Sequence, residues 1–335
     1  MKHILAILPN WVGDVAMCTP ALRALHRRFP EAELTVVGRG SGCALVNGLP
    51  YIAHRIAVPA RPGLAELVRV GRSARPYARD AAVVFPHSFR AALLAWLTGA
   101  GRRIGYRRGG RSLLLTEAVE PHRENGRIEP IYMSEEYLGL VAALGAEDDG
   151  QGLELVADPE ATGQVRARLP GAGPVVGFAP GAAFGPSKRW PAERFAAVAD
   201  ALSEQAGARC VLLVGPGEED TRDAVLAAAR TAFIRCDGGT PTIDMLKATI
   251  AQLDLLICND SGARHVAVAF GVATVCILGS TSPRYSEGPY ERGEVLRVEV
   301  DCGPCQKPVC ETDHRCMTRV SSEWVTERAL HWLKG

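Results

Sequence analysis

The sequence predicts an α/β protein of two doubly wound domains, each built on a parallel sheet. Short, continuous apolar runs alternate with stretches of helical periodicity, and strands of that composition are typical of parallel sheets covered on both faces. The alternation stops in a polar, glycine- and acid-rich passage at residues 145–152 and then begins again. A chain of 335 residues is long enough for two hydrophobic cores. We therefore expect one domain at residues 1–165 and another at 166–335.

In the first half, three apolar runs predict strands at residues 4–8, 33–38 and 80–86. The apolar-periodic stretch from Val15 to Phe29 predicts a helix. Pro30 follows it and separates the helix from the next strand.

In the second half, the same pattern predicts four strands and three helices. The strands are expected at residues 174–180, 209–215, 253–258 and 273–278, and the helices at 192–205, 220–232 and 263–270. Open α/β sheets bind ligands beyond the carboxyl ends of their strands. Each polar motif described below directly follows a predicted strand, so we expect the functional site at those ends.

The overall composition excludes disorder and collagen-like repetition, because 47% of the residues are hydrophobic and 22% are charged. The net charge of +1 predicts no partner. Between Arg55 and Arg111, however, twelve arginines face only Glu66 and Asp80, a local charge of +10. A phosphate, nucleic-acid or lipid partner explains such a stretch, and so does a solvated surface.

The amino-terminal segment does not have the pattern of a signal peptide. Its apolar run is short, and Pro9, Asn10 and Asp14 follow at once. Uncharged apolar runs in this chain fall short of the ~20 residues that span a bilayer. We therefore expect a cytoplasmic protein whose ten cysteines are largely reduced.

The loop after the first strand leads through Gly13 to Asp14 at the start of a helix. Aspartate is a favoured helix N-cap, and the residues alone favour that interpretation. A carboxylate at this position is also suited to be a general base. The loop lacks the G-x-G-x-x-G pattern, so it is not a dinucleotide-binding fingerprint.

Residues 180–191 form a loop rich in glycine and proline after the first strand of the second half. Its glycines leave backbone N–H groups accessible, Ser187 offers a hydroxyl, and Lys188 and Arg189 are cationic. With the helix that starts near Pro191, these groups are suited to bind a diphosphate. A surface loop with incidental charge is the alternative. Lys188 is one of only five lysines, which favours the functional interpretation.

A third motif runs from Cys258 to His265, where a strand ends and a helix begins. Asp260 and Ser261 are suited to cap the helix, and its free N–H groups attract phosphate oxygens. A capped helix with a core-facing His265 is the plainer interpretation. A second glycine-containing loop at residues 279–283 ends the next strand and favours a binding site.

Four segments resemble the ADP-heptose:lipopolysaccharide heptosyltransferases: residues 11–14, 180–191, 259–265 and 279–283. Their order and spacing agree over nearly the whole chain. The resemblance implies the GT-B architecture, with two facing Rossmann-like domains, the first for the acceptor and the second for the nucleotide sugar. It also implies inverting transfer of heptose from ADP-heptose to the heptosyl-Kdo-lipid A inner core of lipopolysaccharide.

The resemblance further implies roles for individual residues. Asp14 matches the proposed catalytic base, and Lys188 matches the lysine that meets the donor diphosphate. Glu219, or Glu218 before it, matches an acidic residue that contacts the ribose. The remaining residues of the expected donor site are Ser187, Asp260, Ser261, Gly262 and His265. The expected acceptor contacts, within the basic stretch, are Arg61, His87, Ser88 and Arg90.

The same resemblance implies no required metal, because Lys188 and two helix N-termini supply positive potential to the departing ADP. It implies peripheral contact with the cytoplasmic face of the inner membrane. A nucleic-acid partner is disfavoured, because few aromatic residues interleave the arginines. Two alternatives stay open: a sugar transferase of the same family with another acceptor or donor, and a two-domain nucleotide-sugar epimerase, which needs a pair of acid/base groups.

Four cysteines lie close together near the carboxyl terminus, at Cys302, Cys305, Cys310 and Cys316. Their number and the CxxC spacing suit a structural zinc site or, less well, an iron–sulfur cluster. The spacing is tighter than in a zinc ribbon. Reduced cysteines packed as small apolar side chains are the interpretation that we favour.

Overall fold

The structure is a computed structural model that describes residues 1–334. Two compact units make up the chain, Met1–Val156 and a second unit that begins at Ala157. The division precedes the expected boundary at residues 165/166. The reason is the helix at Pro159–Ala167, which contacts the helix at Ile243–Ile250 and therefore belongs to the second unit.

The first unit is built on a six-stranded parallel sheet with the order β3-β2-β1-β4-β5-β6. Its strands are β1 (His3–Ile7), β2 (Glu33–Arg39), β3 (Ile52–Val58), β4 (Ala81–Val84), β5 (Arg102–Tyr106) and β6 (Glu117–Val119), followed by the antiparallel pair β7 (Arg123–Glu124) and β8 (Arg127–Ile128). Its helices are α1 (Val12–Arg28), α2 (Gly40–Leu45), α3 (Leu64–Ala74), α4 (Phe89–Thr98) and α5 (Met133–Ala142).

The second unit is built on a five-stranded parallel sheet with the order β10-β9-β11-β12-β13. Its strands are β9 (Val175–Ala179), β10 (Arg209–Leu212), β11 (Leu255–Asn259), β12 (Ala273–Ile277) and β13 (Gly293–Leu296). Its helices are α6 (Pro159–Ala167), α7 (Ala192–Ala206), α8 (Glu219–Ala228), α9 (Ile243–Ile250), α10 (Gly262–Ala269), α11 (Arg315–Thr318) and α12 (Ser322–Lys334).

Both strand orders are doubly wound, which confirms the predicted fold class. Each order reverses direction once, between β1 and β4 in the first sheet and between β9 and β11 in the second. Ligands of such sheets bind in the crevice at this reversal, beyond the carboxyl ends of the strands. The loops after these four strands contain three of the predicted motifs, so the topology places those motifs where the fold binds ligands.

The predicted strands are all present, and the strands that the sequence did not predict are mostly half-exposed. In β3 only Ile52 is buried, and in β13 only Leu296. Strands of this kind contain charged residues at exposed positions and lack the continuous apolar run that marks a central strand. Within residues 1–334, no helix is long and apolar enough to cross a membrane.

Candidate active site

Asp14 lies in the first turn of α1, at the carboxyl end of β1. The helix begins at Val12, with Trp11 in the N-cap position, so the expectation that Asp14 is the cap residue is wrong. Burial raises the pKa of the Cys18 thiol and of the Tyr137 phenol, and the nearby Asp14 carboxylate raises both further. Asp14 is therefore a half-buried carboxylate close to those two side chains.

The loop after β4 contains His87 and Ser88, on the other side of the strand reversal from α1. Ser88 is the N-cap of α4, and its hydroxyl accepts a hydrogen bond from the amide of Ala91. His87 Nε2 lies 2.8 Å from Oε1 of Glu136, a buried residue of α5. Glu136 was not among the residues predicted from the sequence. The sequence pattern that identifies it is a glutamate on the otherwise apolar face of α5, one helical turn before buried Leu140.

The arginines between Arg55 and Arg111 do not form one solvated surface. The local charge of +10 also overstates their free positive charge, because one arginine is buried and others are paired with acids outside the stretch. Arg111 is fully buried and donates to the carbonyl oxygens of Tyr106 and Pro86. Burial lowers its pKa to about 10. Other arginines of the stretch form ion pairs with acids that follow it, namely Arg102 with Glu117, Arg107 with Glu120, and Arg108 with Glu136.

A cavity of about 240 Å³ lies at the carboxyl ends of the central strands of the first sheet. It brings together Ser88 and Arg90 of the expected acceptor site, and Arg39, which was not predicted from the sequence. Arg61 and His87 do not line this cavity. Arg39 ends β2, and an arginine that directly follows an apolar strand run is the signal that identifies it.

In the second unit, the predicted donor residues Lys188 and Asp260 meet at the strand reversal. Lys188 Nζ lies 2.6 Å from Asp260 Oδ2 and 3.0 Å from the Asp260 carbonyl oxygen. Lys188 ends a 3₁₀ turn at Pro186–Lys188, and α7 begins only after Pro191. The helix therefore begins near Pro191, as predicted, and Lys188 lies in the loop before it.

The Asp260 carboxylate is a buried ion-pair partner and not a helix cap. It accepts hydrogen bonds from Arg264 Nη1 at 3.1 Å and from Thr281 Oγ1 at 2.9 Å. Burial alone raises the pKa of Asp260, but the charges of Lys188 and Arg264 outweigh it and hold the pKa far below the usual range. Ser261 is the N-cap residue of α10, and its side chain makes no capping hydrogen bond.

Arg264 and Glu291 extend this ion-pair network, and neither was predicted. Arg264 is fully buried and donates two hydrogen bonds to Glu291, at 2.8 and 2.6 Å. The network contains two cations, Lys188 and Arg264, and two carboxylates, Asp260 and Glu291. Its formal charge is therefore zero. Burial, followed by the Arg264 charge, lowers the pKa of the neighbouring His265 to about 4, so this histidine is neutral at pH 7. His265 is buried in α10, as the plainer interpretation expected.

The loop at residues 180–191 is tied to the end of β11 by Asn259. The side-chain Nδ2 of Asn259 donates to the Pro180 carbonyl oxygen at 2.7 Å, and its Oδ1 accepts from the backbone N–H of Trp190 at 3.0 Å. Because both ends of the loop are anchored on one side chain, the position of Lys188 between them is set by the fold. Gly262, the first residue of α10, directly follows this anchor and the Asp260–Ser261 turn.

Glu218, and not Glu219, lies against this loop. The Glu218 carboxylate accepts a hydrogen bond from the Gly215 amide at 2.7 Å. A Cβ added to Gly181 would lie 2.0 Å from Glu218 Oε1, so only glycine allows this approach. Glu219 begins α8, and its side chain is exposed and accepts from the Gly217 amide.

The cysteine-rich segment, residues 302–316, packs against the loops that contain the expected donor residues. Ser187 Oγ contacts Ser280 Oγ at 3.1 Å and donates to the Lys307 carbonyl at 2.5 Å. His314 Nε2 lies 2.8 Å from the Ser187 carbonyl oxygen. The predicted donor residue Ser187 is therefore 1% exposed and engaged in packing between two loops.

The four cysteines line one cavity of about 300 Å³. Cys316 is buried and Cys302 is exposed, and none forms a disulfide. Burial raises the pKa of Cys316, and the three neighbouring thiols raise it further. Among residues 1–334, no group of three or more His, Cys, Asp or Glu side chains is arranged to hold a metal ion.

Two doubly wound domains, with Lys188 and the N-terminus of α10 at the strand reversal of the second, are typical of enzymes that bind nucleotide-linked substrates. The sequence model of glycosyltransferase family 9 (heptosyltransferase) matches residues 67–315, and the chain belongs to this family. This match confirms the family resemblance and the activity of a glycosyltransferase.

The chain is 30% identical over 310 residues to lipopolysaccharide heptosyltransferase 2 of Escherichia coli (strain K12), with 88% of each chain covered. Two solved structures are similar over almost their full lengths. A family 9 glycosyl transferase from Veillonella parvula DSM 2008 has a TM-score of 0.85 and 26% identity, with 99% of this chain and 97% of that chain covered. The E. coli ADP-heptose lps heptosyltransferase II has a TM-score of 0.81 and 27% identity, with 100% and 99% covered.

Proposed function

We propose that this enzyme is the second heptosyltransferase of lipopolysaccharide inner-core assembly. It transfers heptose from ADP-L-glycero-D-manno-heptose to heptosyl-Kdo-lipid A at the cytoplasmic face of the inner membrane, with inversion at the anomeric carbon. The Lys188–Asp260 pair at the strand reversal of the second unit is the observation that carries the proposal. The names and nearly full-length coverage of the similar proteins support heptose as the sugar.

The second unit binds the ADP-sugar. Arg264 and Glu291 are buried and neutralise each other, whereas the Lys188 side chain is 15% exposed and is the accessible cation of the network. The backbone N–H groups at the start of α10 add positive potential beside it. Together they meet a diphosphate and stabilise the charge that grows on ADP as it departs.

The first unit binds the acceptor. Asp14 takes the proton of the acceptor hydroxyl as that oxygen attacks the anomeric carbon, and the bond from that carbon to ADP breaks. Attack on the face opposite the leaving group inverts the configuration, through an oxocarbenium-like transition state. The cavity lined by Arg39, Ser88 and Arg90 holds acceptor groups, with the cations paired to phosphate.

A product assay by mass spectrometry tests this function. We expect ADP-heptose and heptosyl-Kdo-lipid A to give a product with one added heptose. Kdo-lipid A that lacks heptose is the control acceptor, and turnover only on that molecule would indicate the first heptosyltransferase instead. Conversion of the nucleotide sugar to an epimer in the absence of any acceptor would support the epimerase alternative.

Replacing Arg61 and Arg90 together by alanine is expected to raise the acceptor KM several-fold and leave the donor KM nearly unchanged. Both side chains are exposed near the carboxyl edge of the first sheet, and raised salt should weaken their attraction to acceptor phosphates. The matched control removes Arg28 and Arg79, exposed arginines outside that edge. An unaltered acceptor KM in the first variant would defeat the assignment.

Glu218→Ala is expected to raise the donor KM about tenfold, through loss of a charge-assisted hydrogen bond to the ribose. The reason is the position of its carboxylate against Gly181. Glu219→Ala is the matched control, because that neighbouring side chain is exposed at the start of α8. The reverse result, a larger effect at Glu219, would restore the sequence-based assignment.

Transfer is expected to proceed without a bound metal, because the Lys188 ammonium and the α10 N-terminus supply the positive potential that ADP needs. Turnover should persist after dialysis against EDTA and phenanthroline. Elemental analysis of protein purified without chelator determines whether the four cysteines retain zinc or iron. Activity that is lost on chelation and restored by zinc would overturn this expectation.

A further inference from the structure

The outer face of α4 is apolar although it faces solvent. Phe89 and Trp96 are each 52% exposed, and Leu93 between them is half-buried. The spacing of four and then three residues places the three side chains on one face. The opposite face of α4, with Leu94 and other buried residues, packs on the sheet. A helix that is apolar on both faces at the surface of a domain needs a second apolar contact.

Two neighbouring elements extend this face. The 3₁₀ turn at Arg111–Leu114 contacts α4, and it holds Leu113 with 93% of its surface exposed. The adjacent Leu114 packs against the core beneath. Helix α3 packs beside α4 on the same side of the sheet and begins with Leu64, which is 67% exposed. We call Leu64, Phe89, Leu93, Trp96 and Leu113 the apolar face.

The charges around the apolar face are mostly positive. Helix α3 presents exposed Arg69 and Arg72, and its single acid, Glu66, pairs with Arg69 at 3.1 Å. Arg90 lies in the first turn of α4, which contains no acid. Arg75 donates to the Leu97 carbonyl, at the far end of the two helices. Exposed leucine and aromatic side chains flanked by arginines are the pattern of a surface that enters an anionic lipid interface.

We propose that the apolar face docks the enzyme onto an anionic phospholipid bilayer. The inference rests on the proposed function in one respect, that the acceptor sugar is anchored in a membrane. The amino-terminal end of α4 also lines the acceptor cavity through Ser88 and Arg90. Insertion of Phe89, Trp96 and Leu113 would therefore bring that cavity next to the head groups from which the acceptor sugar projects.

Vesicle flotation with the full chain tests the inference. We expect binding to phosphatidylcholine vesicles that contain phosphatidylglycerol, weaker binding to pure phosphatidylcholine, and loss of binding in high salt. The double variant Trp96→Asp/Leu113→Asp should bind the anionic vesicles about a hundredfold more weakly. The control variant Leu226→Asp/Val309→Asp alters exposed apolar side chains of the second unit and should bind like the wild type.

Circular dichroism and turnover on a delipidated, soluble acceptor show whether the double variant is folded, and both should be unchanged. Equal vesicle binding by the double variant and the wild type would overturn the inference. So would a wild type that binds no vesicles but forms dimers that the double variant does not. Because vesicle binding requires no sugar transfer, failure here leaves the proposed transferase activity untouched, and failure of transfer leaves the docking result standing.

Discussion

Asp14→Asn is expected to lower turnover by about 10²–10⁴-fold, the usual contribution of a general base. The amide keeps the size of the side chain but cannot accept the proton of the acceptor hydroxyl. ADP affinity should stay nearly unchanged, because Asp14 lies in the first unit and the motifs proposed to bind ADP lie in the second. Turnover under saturating substrates and ADP binding by calorimetry measure the two effects separately.

A purely structural role for Asp14 predicts a different result. A carboxylate in the first turn of a helix stabilises it by about 0.3–1 kcal/mol through the helix dipole, and the asparagine variant would lose that contribution. Near-normal turnover with a slightly lowered Tm would therefore show that Asp14 only stabilises α1. Thr242→Ala is a useful comparison, because it removes a cap hydrogen bond from α9 without removing a carboxylate.

The sequence predicted the central strands well because their burial requires continuous apolar runs. All residues of β4, β9, β11 and β12 are buried. Edge strands have a weaker sequence pattern, because part of their surface faces solvent and accepts charged side chains. This is why β3, in which only Ile52 is buried and residues 53–55 are all exposed, was not predicted.

The site was predicted as separate motifs, and its contacts were not. Lys188 and Asp260 were both expected at the donor site, but their pairing joins residues 72 positions apart, and no local pattern encodes that contact. The charge count between Arg55 and Arg111 erred for a related reason. Its window ended before Glu117, the partner of Arg102 in the folded chain.

Lys188→Ala is expected to lower turnover by about 10²–10³-fold, the typical effect of removing one donor that stabilises transition-state charge. ADP affinity should fall by only about 1–3 kcal/mol, the value of a charged hydrogen bond. The ammonium is the accessible cation of the ion-pair network, and in the proposed mechanism its contact with the diphosphate strengthens as the bond to the sugar breaks. Such interactions act on turnover more than on ground-state binding.

Because Lys188 pairs with Asp260, a double substitution tests the role of Lys188 more stringently than a single one. Removing Lys188 leaves the buried Asp260 carboxylate with Arg264 and Thr281 as partners, so the variant should fold, with a lowered Tm. If Asp260 acts by positioning Lys188, Asp260→Asn should lower turnover in the wild type and have little further effect in Lys188→Ala. Lys188→Arg should restore only part of the activity, because the guanidinium differs in shape and reach.

The outcome that contradicts this role is specific. A Lys188→Ala enzyme that binds ADP far more weakly, yet turns over normally at saturating donor, would show that the lysine contributes equally to ground state and transition state. The charge on the departing ADP would then have to be stabilised by the N–H groups at the start of α10, where Gly262 is the first residue. Gly262→Pro, which removes one of those N–H groups, should in that case lower turnover more than Lys188→Ala does.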